Sequence, residues 1–367
     1  MISPFDAASP SHEVLRALTR RLRAYSGPPV RVMEVCGTHT VAIARMGLRN
    51  VLPETVRLQS GPGCPVCVTP VEVFDAAVHL VRERGITLAT YGDALKVPGT
   101  ETTLAEVRAR GGDVRVVYSA ADALALARSD PDREVVFFGL GFETTAPTVA
   151  HTVLEASRTG VRNYSVLCAH KAIVPAMTAL LQDPEVRVGA FLCPGHASMV
   201  LGAQAYRPVA EQYGVPCVVA GFEPGDVLLG LLRLLAQVER GEARVENAYP
   251  RAVAWEGNPH AMALMDRVFE RVTARWRGLG EIAASGYRLR EAFAPWDASR
   301  RFLEGIRFAG REPRGCRCAE VLRGIIEPDE CPLFGEQCTP DAPRGACMVS
   351  SEGACGARYR YGRFERA

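Results

Sequence analysis

Eight short apolar runs recur through the first 240 residues, each followed by a helical stretch. They are VRVMEVCG (30–37), VRLQSG (56–61), ITLATYG (86–92), VRVVYSA (114–120), EVVFFGLG (134–141), YSVLCAH (164–170), VGAFLCPG (188–195) and PCVVAGF (216–222). Near-continuous apolar strands alternating with helices predict an α/β fold of parallel sheets covered on both faces. The Asp-rich stretch RSDPDREVV (128–136) splits the runs into two sets of four. The expectation is two similar α/β domains, 28–128 and 133–240, facing a cleft.

Each run is followed at once by a glycine-rich or chemically loaded turn: CGTHT, GPGCPVC and YGDALKVPG, then GLGFETTAP, CAHKAI, CPGHAS and GFEPGD. Ligands of open parallel sheets bind outside the carboxyl ends of the strands. A cleft between two such edges is therefore the expected site, with Glu143, Thr144, Thr145, His196, Ser198 and Glu223 as candidate lining residues. No Walker-type phosphate loop is present, since isolated Gly61, Gly63 and GLG (139–141) are too common to count.

After residue 246 the pattern changes. Residues 260–277 read as an amphipathic helix, and from Gly315 onward six cysteines (316, 318, 331, 338, 347 and 355) lie among prolines and glycines. Segments 1–27 and 241–367 are expected to form a third, small irregular domain around a metal centre.

Lys plus Arg is 43 and Asp plus Glu is 41, so no basic stripe argues for nucleic acid. The longest greasy run, VLLGLLRLLAQV (227–238), contains Arg233 and falls short of the roughly 20 residues that span a bilayer. The first 27 residues lack the apolar core of a secretory signal. These features predict a soluble, cytoplasmic protein with no membrane partner. In that compartment twelve cysteines point to metal or redox chemistry. Cys168, Cys193 and Cys217 sit in apolar runs and read as small packing residues.

The six C-terminal cysteines exceed what one zinc ion needs and lack paired Cys-x-x-Cys knuckles. Loosely spaced thiolates suit a 4Fe-4S cluster. Cys318, Cys331 and Cys338 are the expected ligands, with Cys355 or Cys347 as the fourth. Cys36 ends a strand where a helix begins, a position that lowers a thiol pKa, and His39 is placed to assist it. Such a thiolate serves as a nucleophile or a soft ligand for iron. Cys64 and Cys67 enclose Pro65 and Val66, and no second knuckle completes a zinc site, so a redox pair is favoured over a structural metal.

CGTHT, GPGCPVC, GFETTAP, PGHAS, ENAYPRAV and CTPDAPRGACMVSSEGAC, in this order over essentially the whole chain, resemble the HypD family of NiFe-hydrogenase maturation proteins. The resemblance implies two α/β domains facing a cleft and a third domain with a 4Fe-4S cluster. It also implies a scaffold that works with a HypC-type chaperone to assemble the Fe(CN)2CO group, with HypE delivering cyanide made through HypF. Cys36 then corresponds to the iron-binding thiolate, and Cys64 with Cys67 to a pair exchanging electrons with the cluster. The same parts would serve a ferredoxin-dependent thiol-disulfide reductase. A third thiolate beside the pair, with His39, favours the iron scaffold.

Overall fold

All eight apolar runs become strands: β1 (Val30–Glu34), β2 (Val56–Ser60), β3 (Thr87–Thr90), β4 (Val114–Val116), β5 (Val135–Gly139), β6 (Tyr164–Cys168), β7 (Ala190–Pro194) and β8 (Cys217–Ala220). The computed structural model describes residues 11–362. A ninth short strand, β9 (Val245–Asn247), was not legible as one. Two parallel sheets result, one ordered β2-β1-β7-β8-β9 and the other β4-β3-β5-β6. Every residue of β5 and β7 is buried, as strands covered by helices on both faces require.

The grouping of strands departs from the expectation. The chain leaves the first sheet after β2, builds the whole second sheet from β3 to β6, and returns with β7, where Val32 of β1 pairs with Ala190. Residues 28–128 and 133–240 therefore do not carry one sheet each. The stretch 128–136 lies inside the second sheet's own connections, since β4 precedes it and its last two residues begin β5. Its polarity has a local cause: Arg133 pairs with Asp113, and Asn163 Nδ2 donates to the carbonyls of Ala127, Asp130 and Arg133. The break marks a solvated, hydrogen-bonded turn.

The greasy run 227–238 lies in the helix Pro224–Arg240, whose Val227, Leu231 and Leu234 are fully buried. Among the described residues, no helix is long and apolar enough to cross a membrane. The helix His12–Arg23 puts Leu18 and Leu22 into one apolar cluster with Leu231 and Leu235. Residues 11–27 thus pack on the first sheet's layer and share no core with the cysteine-rich region. The remainder of the 1–27 assignment, and residues 363–367, lie outside the described residues.

The helix expected over 260–277 is half right. A helix covers Pro259–Val268, and Phe269–Trp276 is a strand, β10, paired antiparallel with β11 (Gly280–Leu289). The run FERVTARW buries its two ends and exposes alternate residues between them, a period of two that a paired strand satisfies better than a helix. Beyond Glu291 the chain is mostly irregular, with short helices that carry Cys318, Cys347 and Cys355, while Cys316, Cys331 and Cys338 lie in the turns between them.

Candidate functional site

The carboxyl ends of both sheets converge on a cavity of about 300 Å³. The first sheet contributes Cys36 after β1, Gly63 and Pro65 after β2, and His196 after β7; the second contributes Tyr91 after β3 and Thr144 and Thr145 after β5. Glu352, from the cysteine-rich segment, completes the wall. Gly63 has to be a glycine, because a Cβ there would run into the backbone of Val35 and Cys36.

Cys36 caps the helix Gly37–Arg45 and is 7 % exposed. Contrary to the expectation of a lowered pKa, burial pushes its thiol up to about 12, with the Glu352 carboxylate adding to the rise. The backbone amides of His39 and Thr38 pull the other way. Desolvation of a thiolate outweighs the helix end here. Glu352 Oε1 accepts from Thr38 Oγ1 at 2.6 Å, so the carboxylate is fixed over the first turn of the same helix. Asp93 Oδ2 in turn accepts from Ser350 Oγ at 3.1 Å and from Ser351 N and Oγ at 3.3 Å. The loop bearing Glu352 is thus moored to both sheets. Behind Cys36, the buried Glu34 accepts from Cys36 N at 3.2 Å and from Thr40 Oγ1 at 2.6 Å.

His39 is completely buried and faces away from the cavity lining. Its Nε2 meets the Gly221 carbonyl at 2.9 Å and its ring packs on Phe222, 4.8 Å between centroids. Burial pushes its pKa down to about 4, so the ring is neutral. It ties this helix to the turn after β8. His196 lines the cavity and stacks on the same Phe222 at 4.0 Å.

Of the other candidates, Thr144 and Thr145 line the cavity, while Glu143 turns inward. Its carboxylate accepts from Ile173 N at 3.2 Å, and burial pushes its pKa up to about 6 against the opposing pull of Arg271. Ser198 is buried between Pro194 O (2.7 Å) and Tyr206 Oη (2.9 Å). Glu223 begins the helix Pro224–Arg240, its N–H bonded to Asp226 Oδ2 at 3.3 Å. Neither of these two lines the cavity.

Cys64 and Cys67 are joined in a disulfide, both almost wholly buried, on the short turn of helix Pro65–Val68. One side of this turn, Pro65, lines the cleft. The other side faces the cysteine-rich segment: Cys67 Sγ lies 3.9 Å from the Ala346 carbonyl. Arg277, 4 % exposed, clamps the turn from below by donating to Thr69 O at 3.1 and 2.9 Å.

Cys316, Cys318, Cys331, Cys338, Cys347 and Cys355 all border one small cavity, closed by Leu333, Phe334 and Met348. Among the described residues no group of three or more His, Cys, Asp or Glu side chains is already arranged to hold a metal ion. A ring of six thiols in an apolar enclosure suits a multi-iron group, which spreads its ligands, better than a lone zinc ion held at about 2.3 Å from each sulfur. The donor set therefore fits an iron-sulfur cluster. Cys338 Sγ already accepts from Arg344 N at 3.3 Å, the kind of amide contact that tunes cluster sulfurs. Cys316, left out of the expected ligand set, borders the same cavity.

A family model described as "HypD: Hydrogenase formation hypA family" matches residues 12–362. The chain belongs to the HypD family. It is 49 % identical over 361 residues to "Hydrogenase maturation factor HypD" of Azotobacter vinelandii, covering 96 % of this chain and 95 % of the relative. The proteins of the same description from Cupriavidus necator (46 %; 96 % of each chain) and Escherichia coli (45 %; 95 % and 94 %) are similarly close. The protein is thus a hydrogenase maturation factor of the HypD family.

In this HypD-family chain, Glu352, Thr38 and Tyr91 are cleft residues that sequence reasoning missed. Thr38 was inside a quoted motif. Glu352 lies in the cysteine-rich segment with no motif of its own, and only the fold carries it to Cys36. Cys168, read as a packing residue, is half-buried with its sulfur 3.6 Å from His170 Nδ1.

Proposed function

We propose that the chain is a cytoplasmic scaffold on which the Fe(CN)2CO group of NiFe hydrogenase is assembled, in company with a HypC-type chaperone. HypE would deliver the cyanide and HypF would act upstream. Iron enters as the substrate, and Cys36 is the thiolate that anchors it. The observation that carries the reading is the position of the Cys64–Cys67 turn. It touches the cleft through Pro65, and through Cys67 Sγ it reaches the carbonyl of Ala346, the residue before Cys347.

Each part has its own task. Cys36 stays a thiol until a metal arrives, because burial and Glu352 disfavour the anion; metal binding then releases its proton. Glu352 and His196 line the same cavity and are the groups at hand to take it. Reducing the Cys64–Cys67 disulfide takes two electrons, and reoxidising the pair returns them. A 4Fe-4S cluster held by Cys318, Cys331, Cys338 and one of Cys355 or Cys347 would supply single electrons when bound. Domain closure over the cleft would exclude water while the ligands are placed.

The test is anaerobic co-purification with the other maturation proteins followed by infrared spectroscopy of the complex. Cyanide and carbonyl stretching bands are expected. A complex that forms, carries iron and shows neither band contradicts the scaffold reading.

A further inference from the structure

Among the described residues Arg277 is the one arginine that is buried, at 4 % exposed. A guanidinium keeps its charge at any working pH and leaves water only where its donors are answered. Arg277 opens the turn between β10 and β11, and this turn is wedged between the Cys64–Cys67 disulfide and the cysteine ring. On one side Arg277 N donates to Val68 O at 2.8 Å, and Nε and Nη2 donate to Thr69 O at 3.1 and 2.9 Å. These are the two carbonyls that follow Cys67. On the other side Gly278, with φ of +80°, lies against the chain beside Cys318: a Cβ there would come within 2.7 Å of Ala319 Cα.

The countercharge is lopsided. Nη1 donates to Glu312, but the Glu312 side chain is 54 % exposed against 3 % for that of Arg277. Solvent screens the carboxylate and leaves the guanidinium nearly unscreened. The cysteine ring therefore faces net positive charge from this turn. The Cys318 thiol is held below its ordinary range, first by hydrogen bonds from Cys316 and Cys347 and then, against burial, by the charge of Arg277. Burying a cation costs stability, and an amide side chain could bond Thr69 O as well. The clamp on the turn does not by itself call for a charge.

We propose that Arg277 is a positioning residue for redox chemistry at the ring, its buried charge raising the reduction potential of an iron-sulfur cluster held there. On reduction such a cluster gains one electron, no bond forms or breaks, and its negative charge grows. A fixed cation beside it stabilises the reduced form more than the oxidised one. The inference rests on the proposed function for the presence of a cluster; the placement of the charge rests on the geometry alone.

The test is a mediated electrochemical titration of the anaerobically reconstituted full chain, with iron and sulfide per chain counted and the reduced cluster read by electron paramagnetic resonance. Arg277→Gln keeps an N–H donor for Thr69 and removes the charge. At the wild-type midpoint it is expected to lower the ratio of reduced to oxidised cluster by about tenfold, or about 59 mV for one electron. Arg277→Lys keeps most of the wild-type potential. Glu312→Gln, at a half-exposed position, removes the countercharge and shifts the midpoint upward by a smaller step. An unshifted midpoint in Arg277→Gln with its iron intact overturns the inference. So does a fall in Arg277→Lys as large as that in Arg277→Gln, which marks a purely structural clamp. If Arg277→Gln does not fold, Glu312→Gln decides, and an unshifted or lowered midpoint there overturns the inference. A wild type that takes up no iron-sulfur cluster overturns the reading of the ring and this inference with it, whereas a cluster whose potential ignores these variants overturns the inference alone.

Discussion

Thr38 donates its hydroxyl to Glu352 at 2.6 Å, joining residues 314 positions apart in the chain beside the Cys36 sulfur. The contact sets the charge at the proposed iron site. Glu352 is one of the causes that hold the Cys36 thiol above its ordinary range. In iron-free protein, Glu352→Gln keeps an acceptor for Thr38 and removes the charge, so Cys36 should ionise at lower pH. The check is the pH dependence of Cys36 alkylation, followed by peptide mass spectrometry. An unshifted profile would mean that Glu352 does not reach the sulfur electrostatically.

Cys36→Ser preserves size and a hydrogen-bonding group, so the fold and the distant cysteine ring should survive at the cost of an ordinary small substitution. An alcohol is a much poorer ligand than a thiolate for iron carrying CO and CN. The variant should still meet its chaperone and yet show no cyanide or carbonyl bands. Full-intensity bands would place the iron anchor elsewhere and favour the thiol-disulfide reductase reading.

The strands were legible because short β-branched apolar runs have few other uses, and every one of the eight formed. Their grouping was not, since pairing such as Val32 with Ala190 is non-local and leaves no trace in either run. FERVTARW misled for a related reason: its Arg and Glu residues suit an amphipathic helix, and only the partner β11 decides for a strand. At the site, the helix end beside Cys36 could be read from CGTHT, while burial and Glu352, which dominate its pKa, come from tertiary structure.

For Cys64 and Cys67, a tryptic digest of oxidised protein should contain one peptide with an internal disulfide. Reduction should add two alkylatable thiols. Stoichiometric zinc retained at this turn, with both thiols reduced, would exclude the redox role.

The cysteine ring yields a graded expectation. Cys338→Ala should lose most iron-sulfur absorbance and loosen the terminal segment, because ligand bonds there stand in for an apolar core. Since six cysteines border one cavity, Cys316→Ala is the informative control: iron content should persist if Cys316 is a bystander. If Cys347→Ala bleaches the protein and Cys355→Ala does not, the fourth ligand is Cys347. Undiminished iron in Cys338→Ala would remove that residue from the set.

His170 leaves a mark on stability. Burial holds its folded pKa near 3, against 6.5 for a free imidazole. Between those values the unfolded chain binds a proton that the folded chain refuses, so this group's contribution to stability is complete above about pH 6.5 and is lost as pH falls toward 3. The limiting slope is about 1.4 kcal/mol per pH unit. Other buried groups, such as His39, give slopes of their own, but these are common to the wild type and to His170→Gln and cancel in the difference. Urea midpoints measured from pH 7.5 down to 5 should therefore converge, the wild type losing ground to His170→Gln as the pH drops. Parallel curves would show that the imidazole binds its proton equally well in the folded and unfolded chains, so that burial does not hold it neutral.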